Sequence, residues 1–264
     1  MKTRGVTRPA ALHEARDDGH DADGDGMDTD QMLVRHHRTT LWIPWALILL
    51  GVWVLLAPFM LGYLNEDLWA QPSGGRGAWF AETETYDSLR AWLMTWSDVI
   101  SGALLVVLGW RALKPDRPVS RWAACFVGIW LVFAPVVLWS PSAAGFASDS
   151  LVGLLVIALT ILIPGMPNMI SFMQMGPGQP PGWSYNPSSW AQRSILIALG
   201  FAGLLVSRYL ASYQLGYIDT VWDPFFGFEG GTQQVLDSQM SHFWPISDAA
   251  LGGAAYSFEF LMGF

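Results

Sequence analysis

Residues Leu41 to Leu64 read LWIPWALILLGVWVLLAPFMLGYL, 24 positions without a charged side chain. As a helix rising about 1.5 Å per residue, this stretch crosses a hydrocarbon core of about 30 Å with length to spare. Further apolar runs follow at about Val99 to Leu113, Trp122 to Trp139, Leu151 to Pro164, Ile195 to Tyr213 and Ala249 to Phe264. Several are shorter than a full span, but Trp96, Trp110, Trp122 and Trp139 can anchor their ends at the interface. The pattern predicts an all-α, polytopic helical membrane protein with five to six transmembrane helices. The last run reaches Phe264 without closing polar residues. Either that end packs inside a bundle or the natural protein is longer.

Composition agrees. Of 264 residues, 52% are hydrophobic, only 14% are charged and 15 are tryptophan, whereas a soluble domain is about a quarter charged. The net charge of −8 and the lack of any Lys/Arg cluster beyond short flanks of the apolar runs exclude a nucleic-acid surface. The single cysteine, Cys125, cannot form an internal disulfide, a CxxC pair or a thiolate metal cage. Its apolar setting between Ala124 and Phe126 reads as packing, with a reactive thiol as the alternative.

Residues 1–40 hold 14 of the 36 charges and lack hydrophobic periodicity, the composition of a disordered acidic tail. No apolar segment lies near Met1, so a cleaved signal peptide is not expected. Asp21, Asp23 and Asp25 resemble the first half of a calcium loop. Met32 stands where that loop closes on Glu, so a solvated tail is the stronger reading and no metal site is assigned. His36 and His37, beside Arg35 and Arg38, read as a basic flank at lipid headgroups.

Basic residues set the orientation. Arg35 and Arg38, then Arg111, Lys114, Arg117 and Arg121, then Arg193 alternate with segments at 65–96, 140–148 and 214–247 that are poor in Lys and Arg. The amino terminus is thereby expected in the cytoplasm and the protein in the cell inner membrane, with the lipid bilayer as its first partner.

Two stretches repeat without a gap. Gly51, Trp53, Ala57, Pro58 and Leu61 recur as Gly128, Trp130, Ala134, Pro135 and Leu138. Each stretch precedes a second apolar run opened by Ser-Asp-x-x-x-Gly, at Ser97-Asp98 to Gly102 and at Ser148-Asp149 to Gly153. The serines and aspartates are expected to cap helices starting at the outer interface, and the glycines to admit a neighbouring helix closely. A ligand role for Asp98 or Asp149 is the alternative. The tandem two-helix pattern over residues 41–165 resembles the SPW-repeat membrane proteins of prokaryotes, with Ala57-Pro58-Phe59 and Ala134-Pro135-Val136 at the name-giving positions. That resemblance implies a helical membrane module and brings no chemistry.

A Gly-, Pro- and Met-rich loop at 166–192 separates this part from residues 193–264. There a span leads to an aromatic outer loop with Trp222 and Phe225, then to Gly231-Thr232-Gln233-Gln234-Val235-Leu236-Asp237-Ser238. A short interfacial helix fits here, with Val235, Leu236, Gln239, Met240 and Phe243 toward lipid or protein. Gly231, Val235, Leu236, Ser238, Pro245, Ile246, Gly252 and Tyr256 resemble the first half of the vitamin K epoxide reductase family. Family members pass electrons through a loop cysteine pair to a membrane CxxC beside a quinone. Here Thr232 occupies the loop cysteine position, and a CxxC would lie past Phe264. Threonine cannot exchange through mixed disulfides, so the chain is not expected to run that reaction alone.

Glu259, 11 residues past Asp248 and roughly 16 Å down a helix, is placed near mid-membrane, where it either pairs with Arg208 or serves a quinone or a proton. The residues marked for a quinone or a partner are Glu259, Arg208, Trp222, Phe225, Ser238, Trp244 and Tyr256. Two functions remain open. One is a thiol-less, incomplete quinone-linked oxidoreductase segment with a membrane quinone as cofactor. The other is a non-enzymatic scaffold or assembly subunit that packs against other membrane-protein subunits through small-residue faces.

Overall fold

The computed structural model describes residues 37–70, 85–114, 117–163, 182, 184, 189–225, 230–241, 243, 244 and 246–264. The acidic tail through His36, including the calcium-loop stretch, and nearly all of the 166–192 loop lie outside the described residues. The helices are α1 (Trp42–Met60), α2 (Thr85–Ala112), α3 (Pro118–Val137), α4 (Ala143–Ile157), α5 (Trp190–Gln214), the short α6 (Gly231–Leu236) and α7 (Asp248–Met262). A 3-10 turn at Glu66–Leu68 follows α1, and a π-turn at Ala158–Leu162 extends α4. Five of these helical stretches are long and apolar enough to cross a membrane: Trp42–Met60, Asp87–Ala112, Val119–Val137, Ala143–Leu162 and Trp190–Gln214. The protein is a multi-pass helical membrane protein.

The face on which α1 begins is called proximal here, and the opposite face distal. Large apolar side chains such as Leu49, Phe59, Trp110 and Phe126 point outward. This is the arrangement lipid requires, since hydrocarbon solvates them as well as a protein core does.

Packing inside the bundle rests on paired glycines. A Cβ added to Gly102 would lie 2.5 Å from the Leu55 nitrogen and 2.6 Å from the Gly51 carbonyl oxygen. One added to Gly153 would lie 2.6 Å from the Gly128 carbonyl oxygen and 2.9 Å from the Val132 nitrogen. The α1–α2 and α3–α4 hairpins thus cross backbone to backbone at the same repeat positions, and Val54, Leu105, Leu131, Val152 and Val156 close the core around them.

The repeat also exchanges side-chain bonds. The Trp53 indole on α1 donates to the Ser148 hydroxyl on α4 (2.9 Å), and the Trp130 indole on α3 donates to the Ser97 hydroxyl on α2 (2.9 Å). Both helices that carry the Ala-Pro step end alike. The Tyr63 and Ser140 amides donate back to the carbonyls of Pro58 and Pro135, at 3.1 and 2.8 Å. The preceding residue is left-handed in both, Gly62 with φ +69 and Trp139 with φ +50. At Trp139 a bulky side chain holds a conformation that normally favours glycine.

Two expectations are corrected. The second span begins at Thr85, not near Val99, and is 28 residues long, about 42 Å at 1.5 Å per residue. It is therefore longer than a hydrocarbon core of about 30 Å requires. Ser97-Asp98 consequently sits mid-helix and caps nothing. The α4 cap is Ser142, whose side chain accepts from the Gly145 amide at 3.2 Å, which leaves Ser148-Asp149 on the second turn. The amphipathic stretch before Ser97 continues the helix outward because nothing in it breaks one.

His37 approaches the end of α2, with its Nε2 3.1 Å from the Leu113 carbonyl oxygen. It thus meets an end-of-helix acceptor as well as the lipid boundary. The π-turn has a local cause: the Thr160 hydroxyl donates back to Val156 (2.7 Å) and Ile157 (3.1 Å), and Arg121 donates to the Thr160 carbonyl at 3.4 Å.

Candidate functional site

The α5–α7 hairpin packs through small residues. Gly203 receives the Tyr256 ring so closely that a Cβ would lie 2.5 Å from it. At the distal end the hairpin is fixed by Gln214, which is almost fully buried. Its amide donates to Ser241 Oγ (2.7 Å) and Asp248 Oδ1 (2.7 Å), and its carbonyl accepts from Ser247 Oγ (2.5 Å) and the Ala249 amide (3.3 Å). Ser241 also donates to Asp248 Oδ2 at 2.9 Å. Every polar group in this knot has a partner, as burial demands.

The distal loop is tied by Asp223. One of its oxygens accepts from the Phe225 amide (2.7 Å) and the other from the Thr232 hydroxyl. Thr232 thus serves as a structural donor. The short helix forms as expected at Gly231–Leu236. Leu236 turns inward onto Tyr213 and Val221, while Val235, Met240 and Phe243 stay exposed.

A cleft of about 820 Å³ opens between α4, α5 and α7. Leu151, Leu154, Phe201, Leu204 and Phe260 line it, and among the described residues Arg208 is the only polar one in its lining. The Arg208 guanidinium lies 4.8 Å from the centre of the Phe146 ring, a cation–π contact that holds it on α4. Phe260 joins the cleft wall to its neighbours, with ring centres 5.5 Å from Phe201 and 5.5 Å from Phe264.

The residues singled out from sequence do not converge. Arg208 lines the cleft. Glu259 is exposed on α7 at the level of Gly200, whose added Cβ would lie 3.5 Å from the Glu259 carbonyl carbon, whereas Arg208 lies level with Gly253. The expected Arg208–Glu259 ion pair is therefore not formed; about two helical turns separate those levels. Trp222, Phe225 and Trp244 are exposed on the distal surface. The Trp222 amide donates to the Tyr209 hydroxyl (2.8 Å), and Trp244 packs edge-on against Phe243. Ser238 accepts from the Ser241 amide at 3.3 Å, and Tyr256 fills the Gly203 notch. Sequence reasoning missed Phe201, Phe260 and Phe264. Their signal was present, because Tyr256 and Phe260 on α7 and Phe264 just past its end are spaced i, i+4, i+8.

Among the described residues no group of three or more His, Cys, Asp or Glu side chains is placed to hold a metal. Cys125, the one thiol of the chain, is buried in α3 against Ile157, Val132 and Ala254.

Comparison with known families gives two matches. Residues 76–163 match the SPW repeat domain, and residues 194–264 match the vitamin K epoxide reductase family. Comparison with curated proteins and with solved structures gives no significant match. The chain is thus a membrane protein in which an SPW-repeat region is joined to a vitamin K epoxide reductase-like region. The first match starts after α1, yet α1 carries the same Gly, Trp, Ala-Pro and left-handed turn as α3.

Proposed function

We propose that this protein binds an isoprenoid quinone in the cleft between α4, α5 and α7 without itself performing thiol relay. The observation that carries this reading is an apolar cleft of about 820 Å³ whose sole polar lining residue among the described residues is Arg208. Such a volume suits a quinone ring with part of its tail, and a guanidinium is a strong donor to a quinone carbonyl. A chain with one cysteine, which is buried and not among the cleft-lining residues, has no second thiol with which to exchange. The distal aromatics Trp222, Phe225 and Trp244 act as interfacial anchors rather than as the pocket. The alternation of basic residues supports a cytoplasmic amino terminus in the cell inner membrane.

The second reading, a scaffold for other membrane-protein subunits, is favoured by one feature. Of the five spans α5 buries the smallest share of its surface, leaving Ile195, Leu196, Leu199, Leu205 and Val206 open to a neighbouring helix.

Titrating the detergent-purified protein with ubiquinone and menaquinone analogues, following tryptophan quenching and mapping a photoreactive analogue by mass spectrometry, tests the first reading. Saturable quenching is expected, with crosslinks on α4, α5 or α7. Leu151→Trp, which fills the cleft from its open side, abolishes binding. Arg208→Met weakens it roughly tenfold, the worth of one charged hydrogen bond. Absence of quenching, or affinity untouched by both substitutions, leaves the scaffold.

A further inference from the structure

The repeat places one aspartate on each second helix, Asp98 on α2 and Asp149 on α4, each four residues before the glycine at its crossing. Both are fully buried, and so is Tyr63, which follows α1. The Tyr63 ring lies on α4, where a Cβ at Gly145, one turn before Asp149, would sit 2.8 Å from its hydroxyl. The two carboxyl groups interact with each other, and the phenol interacts with both. Yet none of the five oxygens has a hydrogen-bond partner outside the trio among the described residues.

Buried polar groups are ordinarily paired, and carboxylates inside a membrane are tolerated only with a counter-charge. The basic side chains nearby are engaged elsewhere. Arg90 lies 2.8 Å from Asp87 and donates to the carbonyls of Ala70 and of Trp139 (3.5 Å). Arg208 rests on Phe146. The titratable groups facing the three residues are Tyr217, beyond α5, and Arg90 through Tyr217. The sequence of α1 contains none, and those of α3, Arg121 and Cys125, belong to its proximal turns.

Proline adds acceptors in the same layer. Pro58 and Pro135 have no N–H for the carbonyls four residues earlier, those of the buried Val54 and Leu131. Because Gly102 packs on Leu55 and Gly153 on Val132, the aspartates one turn distal lie beside these proline steps.

We propose that Asp98, Asp149 and Tyr63 form a binding site for one small hard cation, its positive charge supplied by a sodium ion or a proton. Oxygen-only donors select hard cations and reject the softer transition metals. With no third carboxylate, histidine or cysteine in the group, a singly charged ion fits better than the multi-carboxylate cage of a divalent one. The near two-fold repeat puts the ion between equivalent carboxylates, so both arms bear on it alike.

The test uses the full chain in nanodiscs, with radioactive sodium binding by scintillation proximity and infrared spectroscopy of the carboxyl C=O stretch. The expected result is saturable sodium binding, competed by protons, at least tenfold weaker in Asp98→Asn and in Asp149→Asn alike and reduced in Tyr63→Phe. If sodium does not bind but a protonated-carboxyl band is present and disappears in either Asn variant, the proton is the occupant and the site stands. Sodium binding unchanged in all three variants, or neither sodium binding nor such a band, overturns the proposal. Tyr63→Phe removes one oxygen and keeps the ring on Gly145, so it remains informative if an Asn variant misfolds.

Discussion

Replacing Gly102 by alanine tests the backbone-to-backbone crossing most directly. The new methyl would lie 2.5 Å from the Leu55 nitrogen, 2.6 Å from the Gly51 carbonyl oxygen and 2.9 Å from the Leu55 Cα. Optimal contact is about 3.5 Å, so α1 and α2 must separate by about 1 Å. The obstructing atoms are backbone, so no rotamer change relieves them. Overpacking of this kind costs about 1–3 kcal/mol, while alanine returns up to about 1 kcal/mol of helix propensity. The net expectation is a loss of about 1–2 kcal/mol. Gly153→Ala, facing the Gly128 carbonyl oxygen at 2.6 Å, should behave as its twin. Gly252→Ala is the internal control, since its Cβ meets nothing nearer than the Ser207 hydroxyl at 3.3 Å; it should be neutral within about 0.5 kcal/mol. Equilibrium unfolding in mixed micelles, followed by circular dichroism, measures all three. Equal stability of Gly102→Ala and Gly252→Ala would refute the crossing geometry.

A double-mutant cycle with Trp53→Phe and Ser148→Ala should show a coupling of about 0.5–1.5 kcal/mol, the size of one hydrogen bond, and Trp130→Phe with Ser97→Ala should match it in sign. Gln214→Ala strips partners from Ser241, Ser247 and Asp248 together and should destabilise by about 3 kcal/mol or more, seen as loss of the folded fraction on heating. Burial foremost raises the Tyr217 phenol above its ordinary value. A raised phenol contributes stability that is complete below about pH 10 and is lost as pH climbs further, because the unfolded chain ionises first. Tyr217→Phe, which forfeits the 2.7 Å bond to the Ser140 carbonyl, should lower stability at neutral pH by about 1 kcal/mol and flatten its decline above pH 10.

The spans and the tandem repeat were legible because they are local: a charge-free run and a Gly-x-Trp-x-x-x-Ala-Pro string need no tertiary knowledge. The start of α2 was not, because the segment before Ser97 is too polar to read as membrane yet regular enough to remain helical. That one boundary turned Asp98 from a cap into a buried carboxylate. The Arg208–Glu259 pairing is not formed for a related reason. The depth of Glu259 follows from counting, but its direction is set by which faces of α5 and α7 meet at Gly200, Gly203 and Gly252. The cleft draws Leu151, Phe201 and Phe260 from three separated helices, and no stretch of sequence announces such a convergence; only Arg208, an isolated cation in an apolar run, stood out in advance.

The exchanged tryptophan–serine bonds bear on the history and the synthesis of the chain. Each two-helix unit carries both halves of a contact that it cannot close within itself, so two separate copies of one unit would close it across a symmetric dimer. Duplication and fusion of such a unit would reproduce the arrangement with no new interaction to invent. During translation the indole of Trp53 enters the bilayer three helices before its acceptor, on α1 against α4. The first hairpin therefore waits with an unmatched donor until the second arrives, and a ribosome paused between them would hold a half-protein primed to pair with another like itself.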